Sequence, residues 1–187
     1  MLDKKIKILS IDPGTSYLGI ARSEYDLTTG IFTVLQHQTV EGRRVLTKNK
    51  ELTAVYSARL IQLEAIREEI EKIARTEPDY IVVENAFHQP GRTPAYAALL
   101  LCIHVIEIAI KNTLNKPVYK MAPRLVKQLT TQSGDASKDT VQDAILHHPN
   151  IVVKETKASP LSGLTQHSAD AIAIGYAFCI EVLPGQG

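Results

Sequence analysis

Cysteine is scarce in this sequence, and long hydrophobic runs and an excess of either charge are missing. The two cysteines, Cys102 and Cys179, lie inside apolar helical patterns and form neither a CxxC motif nor the spacing of metal ligands. We expect two buried thiols in a reducing cytoplasm, rather than a disulfide or a zinc site.

Charge and hydropathy narrow the class of protein further. The net charge of +1 does not indicate a nucleic-acid-binding protein, so a basic surface would have to come from local clustering of lysine and arginine. Residues 99–110 are strongly apolar, but His104 and Glu107 interrupt them, and the stretch is too short to cross a bilayer. Residues 1–5 lead directly into the first strand without the pattern of a signal peptide, so we expect none. The 187 residues predict one soluble, cytoplasmic domain spanning 1–187.

The succession of apolar patterns predicts an α/β fold. A hairpin over residues 6–21 is followed by an alternating strand at 31–40, and shorter strands are expected at 80–84 and 117–121. Helical spacing covers 52–73, 95–114, 124–130, 138–147 and 166–183, whereas 41–50 and 149–163 have no periodicity and predict loops. This order favours a mixed five-stranded sheet, an antiparallel meander followed by parallel strands, flanked by helices.

The predicted helix over residues 95–114 is apolar nearly all round. Such a helix lies in a large core or is covered by another subunit, and in a chain this small we favour the subunit.

Two predicted core strands end in carboxylates, Asp12 and Glu84. Asp12 precedes Pro13-Gly14, and the alternative is that it only opens the turn. Ligands of such sheets gather at the carboxyl ends of the strands, so two acids at these ends favour a binding site for a hard cation.

The last helix adds His167 and Asp170, which are three residues apart and share one helix face. The alternatives are a dipole-stabilising acid for Asp170 and a surface side chain for His167. Together with Asp12 and Glu84 they favour a metal site, and the chemistry that suits it is phosphodiester hydrolysis with two Mg²⁺ about 4 Å apart. A histidine in the set indicates tolerance of Mn²⁺ or a role in positioning water.

Positive charge is concentrated between Lys111 and Lys138, where the net charge is +5. A segregated basic face lets a nearly neutral protein hold DNA, and the alternative is a solvated lysine-rich surface. Arg124 lies within this face, and the loop at 88–94 (HQPGRTP) offers Arg92 as a further DNA-binding residue.

Motifs in a fixed order resemble the RuvC family of Holliday-junction resolvases over residues 6–178. They are Asp12-Pro-Gly-Thr, Val83-Glu84-Asn85-Ala86-Phe87, and His167-Ser-Ala-Asp170-Ala-Ile-Ala. Between the last two, Pro123-Arg124-Leu125-Val126-Lys127 and Gly134-Asp-Ala-Ser-Lys138-Asp-Thr-Val141 are similar to that family's Pro-Arg-x-Val-Lys and Gly-x-Ala-x-Lys-x-x-Val segment.

The resemblance implies a ribonuclease H-like fold and Mg²⁺-dependent nicking of four-way DNA junctions in recombination and repair. It implies metal-binding carboxylates at Asp12, Glu84 and Asp170, with His167 completing the catalytic set. Lys127 and Lys138 would contact phosphate, and Phe87 would stack on an unpaired base. It further implies a homodimer through residues 95–114 and suggests a branch-migration helicase as a partner.

Three positions depart from the family pattern. His167 stands where many members have a fourth aspartate, a variation that some members share. Gln132 replaces a usual glycine, and Asp135 replaces a usual basic residue, which puts DNA contacts in question and not the metal site.

Rival functions remain open at this point. A related nuclease could act on RNA or forked DNA, and a non-catalytic junction-binding protein could descend from a nuclease. Asp-x-Gly-Thr after a strand also occurs in actin-like and sugar-kinase folds, but those need two such lobes, for which 187 residues leave no room.

Overall fold

The computed structural model describes residues 5–87, 91, 93–157 and 159–183. The strands are β1 (Lys5–Asp12), β2 (Tyr17–Asp26), β3 (Phe32–Glu41), β4 (Tyr80–Glu84), β5 (Val118–Met121) and β6 (Ile151–Val153). The α-helices are α1 (Gly42–Lys48), α2 (Ala58–Ala74), α3 (Thr93–Leu114), α4 (Pro123–Thr131), α5 (Lys138–His147) and α6 (Gln166–Val182). Short 3₁₀ helices cover Leu52–Ala54 and Leu161–Gly163.

All the strands form one mixed sheet in the order β5-β4-β1-β2-β3-β6. Strand β2 is antiparallel to both of its neighbours, whereas β1, β4 and β5 pair in parallel, as do β3 and β6. The carboxyl ends of β1, β3, β4 and β5 therefore lie at the same edge of the sheet as the amino end of β2. We call this edge the site edge.

Two hydrophobic cores cover the two faces of the sheet. Along β1, Leu9 and Ile11 point to the core shared with α2 and α3, whereas Ile6 and Ile8 point to the core shared with α4, α5 and α6. Helix α6 is the most buried element on the second face, because its residues from Ala171 to Cys179 are all enclosed. The predicted α/β class with a mixed sheet and flanking helices is confirmed.

The predicted number of five strands is wrong, because the segment expected to be irregular at 149–163 contains β6. Residues Ile151–Val153 pair in parallel with Phe32–Val34 at the edge of the sheet. Three residues are too few to display a period of two, and the strand is defined by its hydrogen-bonded neighbour rather than by its own pattern.

The segment after β3 also differs from the prediction. Residues 41–50 were expected to be a loop, but Gly42–Lys48 form α1, in which only Gly42 is buried, so no apolar stripe announces the helix. Helix α2 begins at Ala58 rather than at residue 52, because the Ser57 side chain accepts a hydrogen bond from the Leu60 N–H and caps the helix. Leu52, Val55 and Tyr56, which were expected on its buried face, are exposed.

Helix α3 extends at both ends beyond the strongly apolar stretch at residues 99–110. By length and composition its 22 residues could cross a membrane, although buried core helices meet the same test. Cys102, Ile103 and Ile106 pack into the core beneath the sheet, whereas Leu101 and Ile108 on the opposite side are exposed. This exposure agrees with a helix that is apolar all round and covered on one side only.

Gly19 of β2 lets the start of α6 lie directly on the sheet. A Cβ at this position would be 2.0 Å from the carbonyl oxygen of His167 and 3.2 Å from the Asp12 Cβ. No side chain fits between the strand and the helix, so residue 19 sets how closely α6 approaches β1 and β2.

We predict that Gly19→Ala lowers the free energy of unfolding by about 3 kcal/mol, because the clash is with backbone that cannot move aside. Urea denaturation measures the loss. The matched control is Gly163→Ala, where the nearest atom to a Cβ is Pro160 Cγ at 3.5 Å, an ordinary contact. Equal stabilities of the two variants would contradict the close approach.

Candidate metal and nucleic-acid site

Asp12 and Glu84 lie side by side at the site edge. Strands β1 and β4 are parallel neighbours, and their last paired residues are Ile11 and Val83. The next residue on each strand is the acid, so the two carboxylates are separated by about one strand spacing of 4.8 Å at the backbone. Both continue the row of side chains that faces α6.

The first turn of α6 brings His167 and Asp170 to the same place. One potential ligand atom from each of Asp12, His167 and Asp170 lies within 4.8 Å of the others. His167 Nδ1 is 3.0 Å from Asp12 Oδ2, within hydrogen-bonding distance. Glu84 lines the same cavity as Asp12 and Asp170, so the fold gathers all four predicted residues although 155 positions separate the first from His167.

The position of this turn is secured by a cap and by β3. The Thr165 side chain accepts a hydrogen bond from the Ser168 N–H, and the Ser168 hydroxyl accepts one from the Thr165 N–H, which completes a capping box. The hydroxyls of Thr39 on β3 and Thr165 are 2.6 Å apart. The first turn of α6, which contains His167 and Asp170, is therefore hydrogen-bonded to the sheet through Thr165.

Negative charge accumulates in this site. Burial first, and then the charges of Asp12 and Asp170, raise the pKa of Glu84 to about 8, while Lys138 and Lys127 oppose this rise. Burial, and then the charge of Asp12, also raise the pKa of Asp170, although Lys138 Nζ lies 3.5 Å from Asp170 Oδ2. These two acids thus hold protons more tightly than in water, first because they are buried and second because other carboxylates lie nearby.

The donor set fits a divalent cation. Carboxylate oxygens suit Mg²⁺ and Mn²⁺, and a histidine nitrogen is accepted more readily by Mn²⁺. The raised pKa values of Glu84 and Asp170 indicate that the site lacks positive charge, and a bound cation would supply it.

The predicted DNA-binding residues fall into three situations. Phe87, Lys127 and Lys138 line a cavity of about 270 Å³ together with the acids, and Phe87 is 65% exposed, so it is not a core residue. Lys127 donates a hydrogen bond to the Ala136 carbonyl at 2.8 Å. Arg124 lies at the surface with its guanidinium 3.7 Å from Asp135. Arg92 lies outside the described residues.

The two departures near the basic segment have local explanations. Gln132 ends α4 in the left-handed conformation, with φ of 64°, where glycine is ordinarily preferred. Glutamine in place of glycine at position 132 therefore adds backbone strain to this turn. Asp135 pairs with Arg124 while both side chains are largely exposed, so it reduces the positive charge at the rim and not in the cavity.

Tyr17 belongs to the site and was missed in the sequence. Its ring is stacked on that of His167, with centroids 4.9 Å apart and planes inclined by 9°. It begins β2 two residues before Gly19, so it faces the same side of the sheet. A tyrosine at the start of a strand is ordinary, and only its pairing with α6 sets it apart.

No protein-family model matches the chain. Two curated relatives, both named crossover junction endodeoxyribonuclease RuvC, come from Thermotoga petrophila and from a further Thermotoga species. Each is 27% identical over 179 residues, which cover 94% of this chain and 93% of the relative.

Solved structures give the same picture for the fold. Thermus thermophilus RuvC superimposes with a TM-score of 0.70 at 20% identity over 96% of this chain and 97% of that one. The same enzyme in complex with a Holliday junction substrate gives 0.71 at 19% identity, covering 96% of both chains. Yeast mitochondrial Ydc2, a Holliday junction resolvase, gives 0.62 at 12% identity over 92% of this chain and 77% of that one.

The chain has the ribonuclease H-like fold of these solved structures. Within that class the chain resembles the RuvC family along nearly its whole length, in sequence and in fold, and the resemblance predicted from the motifs is confirmed.

We predict that Glu84 makes the metal-free protein less stable as the pH rises. Its pKa is raised from 4.5 to about 8 on folding, so between these values the folded state binds a proton that the unfolded state releases. The free energy of unfolding then falls by at most about 1.4 kcal/mol per pH unit.

Urea denaturation in a chelating buffer tests this by comparing wild type with Glu84→Gln, which cannot titrate. The variant gains stability relative to wild type as the pH approaches 8, and Mg²⁺ added to wild type at that pH restores the loss. A difference between the two proteins that does not change with pH contradicts the assignment.

Proposed function

We propose that this protein is a metal-dependent, structure-selective endonuclease that nicks four-way DNA junctions symmetrically. The observation that carries the proposal is the gathering of Asp12, Glu84, His167 and Asp170 at the site edge, beside Lys127 and Lys138. The names of the relatives and the Thermus enzyme bound to a Holliday junction support the substrate. Residues 1–187 would form a single nuclease domain.

Each residue of the site has a role that follows from its position. Asp12, Glu84 and Asp170 hold the cations, with His167 completing the set. Divalent cations held there would supply activation of the attacking water and neutralisation of the leaving oxygen of the phosphodiester. Lys127 and Lys138, which line the same cavity, bind the phosphate and stabilise its developing charge. Phe87, exposed at the mouth, offers a face on which an unpaired base can stack.

Arg124 extends the basic surface outside the cavity in this proposal, and Arg92, which is not among the described residues, is proposed as a further DNA-binding residue. The 81% exposure of the Arg124 side chain leaves it free to exchange Asp135 for a DNA phosphate. Contacts of this kind position the substrate and make its binding depend on salt.

We predict paired nicks at symmetric positions of a four-way junction in Mg²⁺ or Mn²⁺, and a loss of at least about 10³-fold in rate for Asp12→Asn, because that substitution removes a ligand charge. A cleavage assay offers the junction, a fork, a plain duplex and an RNA–DNA hybrid to both proteins. Binding of the junction in chelating buffer serves as the folding control for the variant.

Other results would select the rival functions. Preferential cutting of the fork or of the hybrid keeps the nuclease and overturns the junction assignment. Tight junction binding without cutting in either metal indicates a binding protein.

The identity of the metal depends on His167 in this proposal. We propose that Mg²⁺ serves the site, two ions per site, and that Mn²⁺ is accepted because one donor is a nitrogen. We predict that His167→Asp lowers the ratio of the Mn²⁺-supported rate to the Mg²⁺-supported rate, since the donor set becomes all oxygen. Rates with each metal at saturation measure the ratio, and an unchanged ratio excludes His167 as a ligand.

We propose further that the protein is a homodimer through α3, whose two-fold symmetry would match that of a junction. The exposed side of α3 presents Ala97, Leu101, His104 and Ile108 at three- and four-residue spacing. Leu101 is 48% and Ile108 54% exposed, and burial of such an apolar stripe favours association.

We predict that Leu101→Glu/Ile108→Glu converts the dimer into a monomer, because two charges would be buried in the interface. Analytical ultracentrifugation measures the mass. The matched control is Val55→Glu/Leu60→Glu, which changes a second pair of exposed apolar residues, 74% and 51% exposed, before and within the start of α2. Dissociation by the control alone would place the interface there.

The partners and location follow the proposed activity. Branched DNA is the substrate, a branch-migration helicase stays a prediction from the resemblance, and the cytoplasm of a bacterium or of a virus-infected cell is the proposed location.

A further inference from the structure

Helix α1 carries positive charge at the site edge and belongs to none of the motifs described above. Its segment contains Arg43, Arg44, Lys48 and Lys50, and all four side chains are exposed. Arg44 is paired with Glu41 at 3.0 Å, whereas in the described part of the chain the other three basic side chains make no ion pair. A shallow groove of about 360 Å³ runs among Glu41, Arg43, Arg44, Thr47 and Lys48.

This helix is anchored to the turn that carries Asp12. The Gly42 N–H donates a hydrogen bond to the Ser16 carbonyl at 2.8 Å. A Cβ on Gly42 would lie 2.3 Å from the Thr15 carbonyl oxygen, so the backbone of α1 is in direct contact with the turn. The basic residues are therefore held at a defined place and not on a free loop.

The sheet gives the distance from α1 to the acids. Glu41, which precedes α1, pairs with Tyr17, and Tyr17 stacks on His167. Strand β3 is two strands from β1, so α1 starts about 10 Å from Asp12 along the site edge. Lys127 lies on α4, which follows β5 on the other side of β1, whereas Lys138 lines a cavity together with Thr15, Ser16 and Tyr17 of the turn. Basic side chains thus continue from the cavity of the acids past the turn to α1.

We propose that α1 is a second phosphate-binding element, which holds the duplex arm leaving the site on the β3 side. The inference rests on the proposed function, because it takes the same DNA as substrate. Charge complementarity selects the occupant, since a duplex arm presents phosphates in a regular row that exposed arginine and lysine side chains can follow. The role of α1 is to position the arm, and its side chains do not touch the reacting phosphate.

The test is the salt dependence of DNA binding in chelating buffer, where no cleavage occurs. For Arg43→Gln/Lys48→Gln we expect the slope of log affinity against log salt to become less steep by about 1.8 on a junction with duplex arms, since each lost contact removes about 0.9. Arg43→Lys/Lys48→Arg, which keeps both charges, retains the slope of wild type.

The matched control is Lys72→Gln/Arg75→Gln, which removes the same charge from the end of α2, at the opposite edge of the sheet. Its slope stays that of wild type if the effect belongs to α1, whereas an equal change in both variants overturns the proposal as a general effect of net charge. An unchanged slope in the α1 variant also overturns the proposal. The basic side chains of α1 would then be explained by binding of an acidic protein instead.

The outcome is separable from that of the proposed function. If wild type cuts the junction but the salt slope of the α1 variant is unchanged, only the role of α1 is contradicted. If wild type does not cut but the α1 variant has a reduced salt slope, only the proposed nuclease activity is contradicted. Wild-type protein that binds no DNA contradicts both.

Discussion

The contact between the first turn of α6 and β2 at Gly19 is the constraint on which the site depends. The helix backbone rests on the strand without an intervening side chain, and the carbonyl oxygen of His167 occupies the place of a Cβ. Because Gly19 pairs with Asp12, the contact also fixes the height of His167 above that acid. The Thr39–Thr165 hydrogen bond then holds the helix against rotation. A site made from distant segments gains its precision from a rigid support of this kind.

The lysines near the site offset part of the negative charge of its carboxylates and do not neutralise all of it. Glu84 and Asp170 are pushed toward their protonated forms by burial and by Asp12, and Lys138 and Lys127 work in the opposite direction. Lysines near enough to offset the acids, but not paired closely with all of them, leave the carboxylates available to a cation. The same lysines line the cavity, where Lys127 donates to the Ala136 carbonyl and Lys138 lies 3.5 Å from Asp170. In the proposed function one arrangement serves both ligands, the cation and the phosphate, whose charges are opposite.

The parts that could be predicted from the sequence are those determined locally. A run of apolar residues ending in Asp12 or Glu84 marks both a strand and the place where its acid emerges, and a spacing of three puts His167 and Asp170 on one helix face. Strand β6 and helix α1 could not be predicted, because the first exists through its pairing with Phe32–Val34 and the second through its anchoring to the Asp12 turn. The stack of Tyr17 on His167 joins residues 150 positions apart, and no local pattern contains it.

The order of the segments along the chain has a consequence for synthesis. Asp12 is made early and Asp170 late, and α6, which carries His167 and Asp170, also covers one whole face of the sheet. A nascent chain that lacks α6 leaves that face bare and has neither the last acid nor the histidine. In the proposed function, the ability to cut DNA therefore arises only once the chain has folded around its last helix.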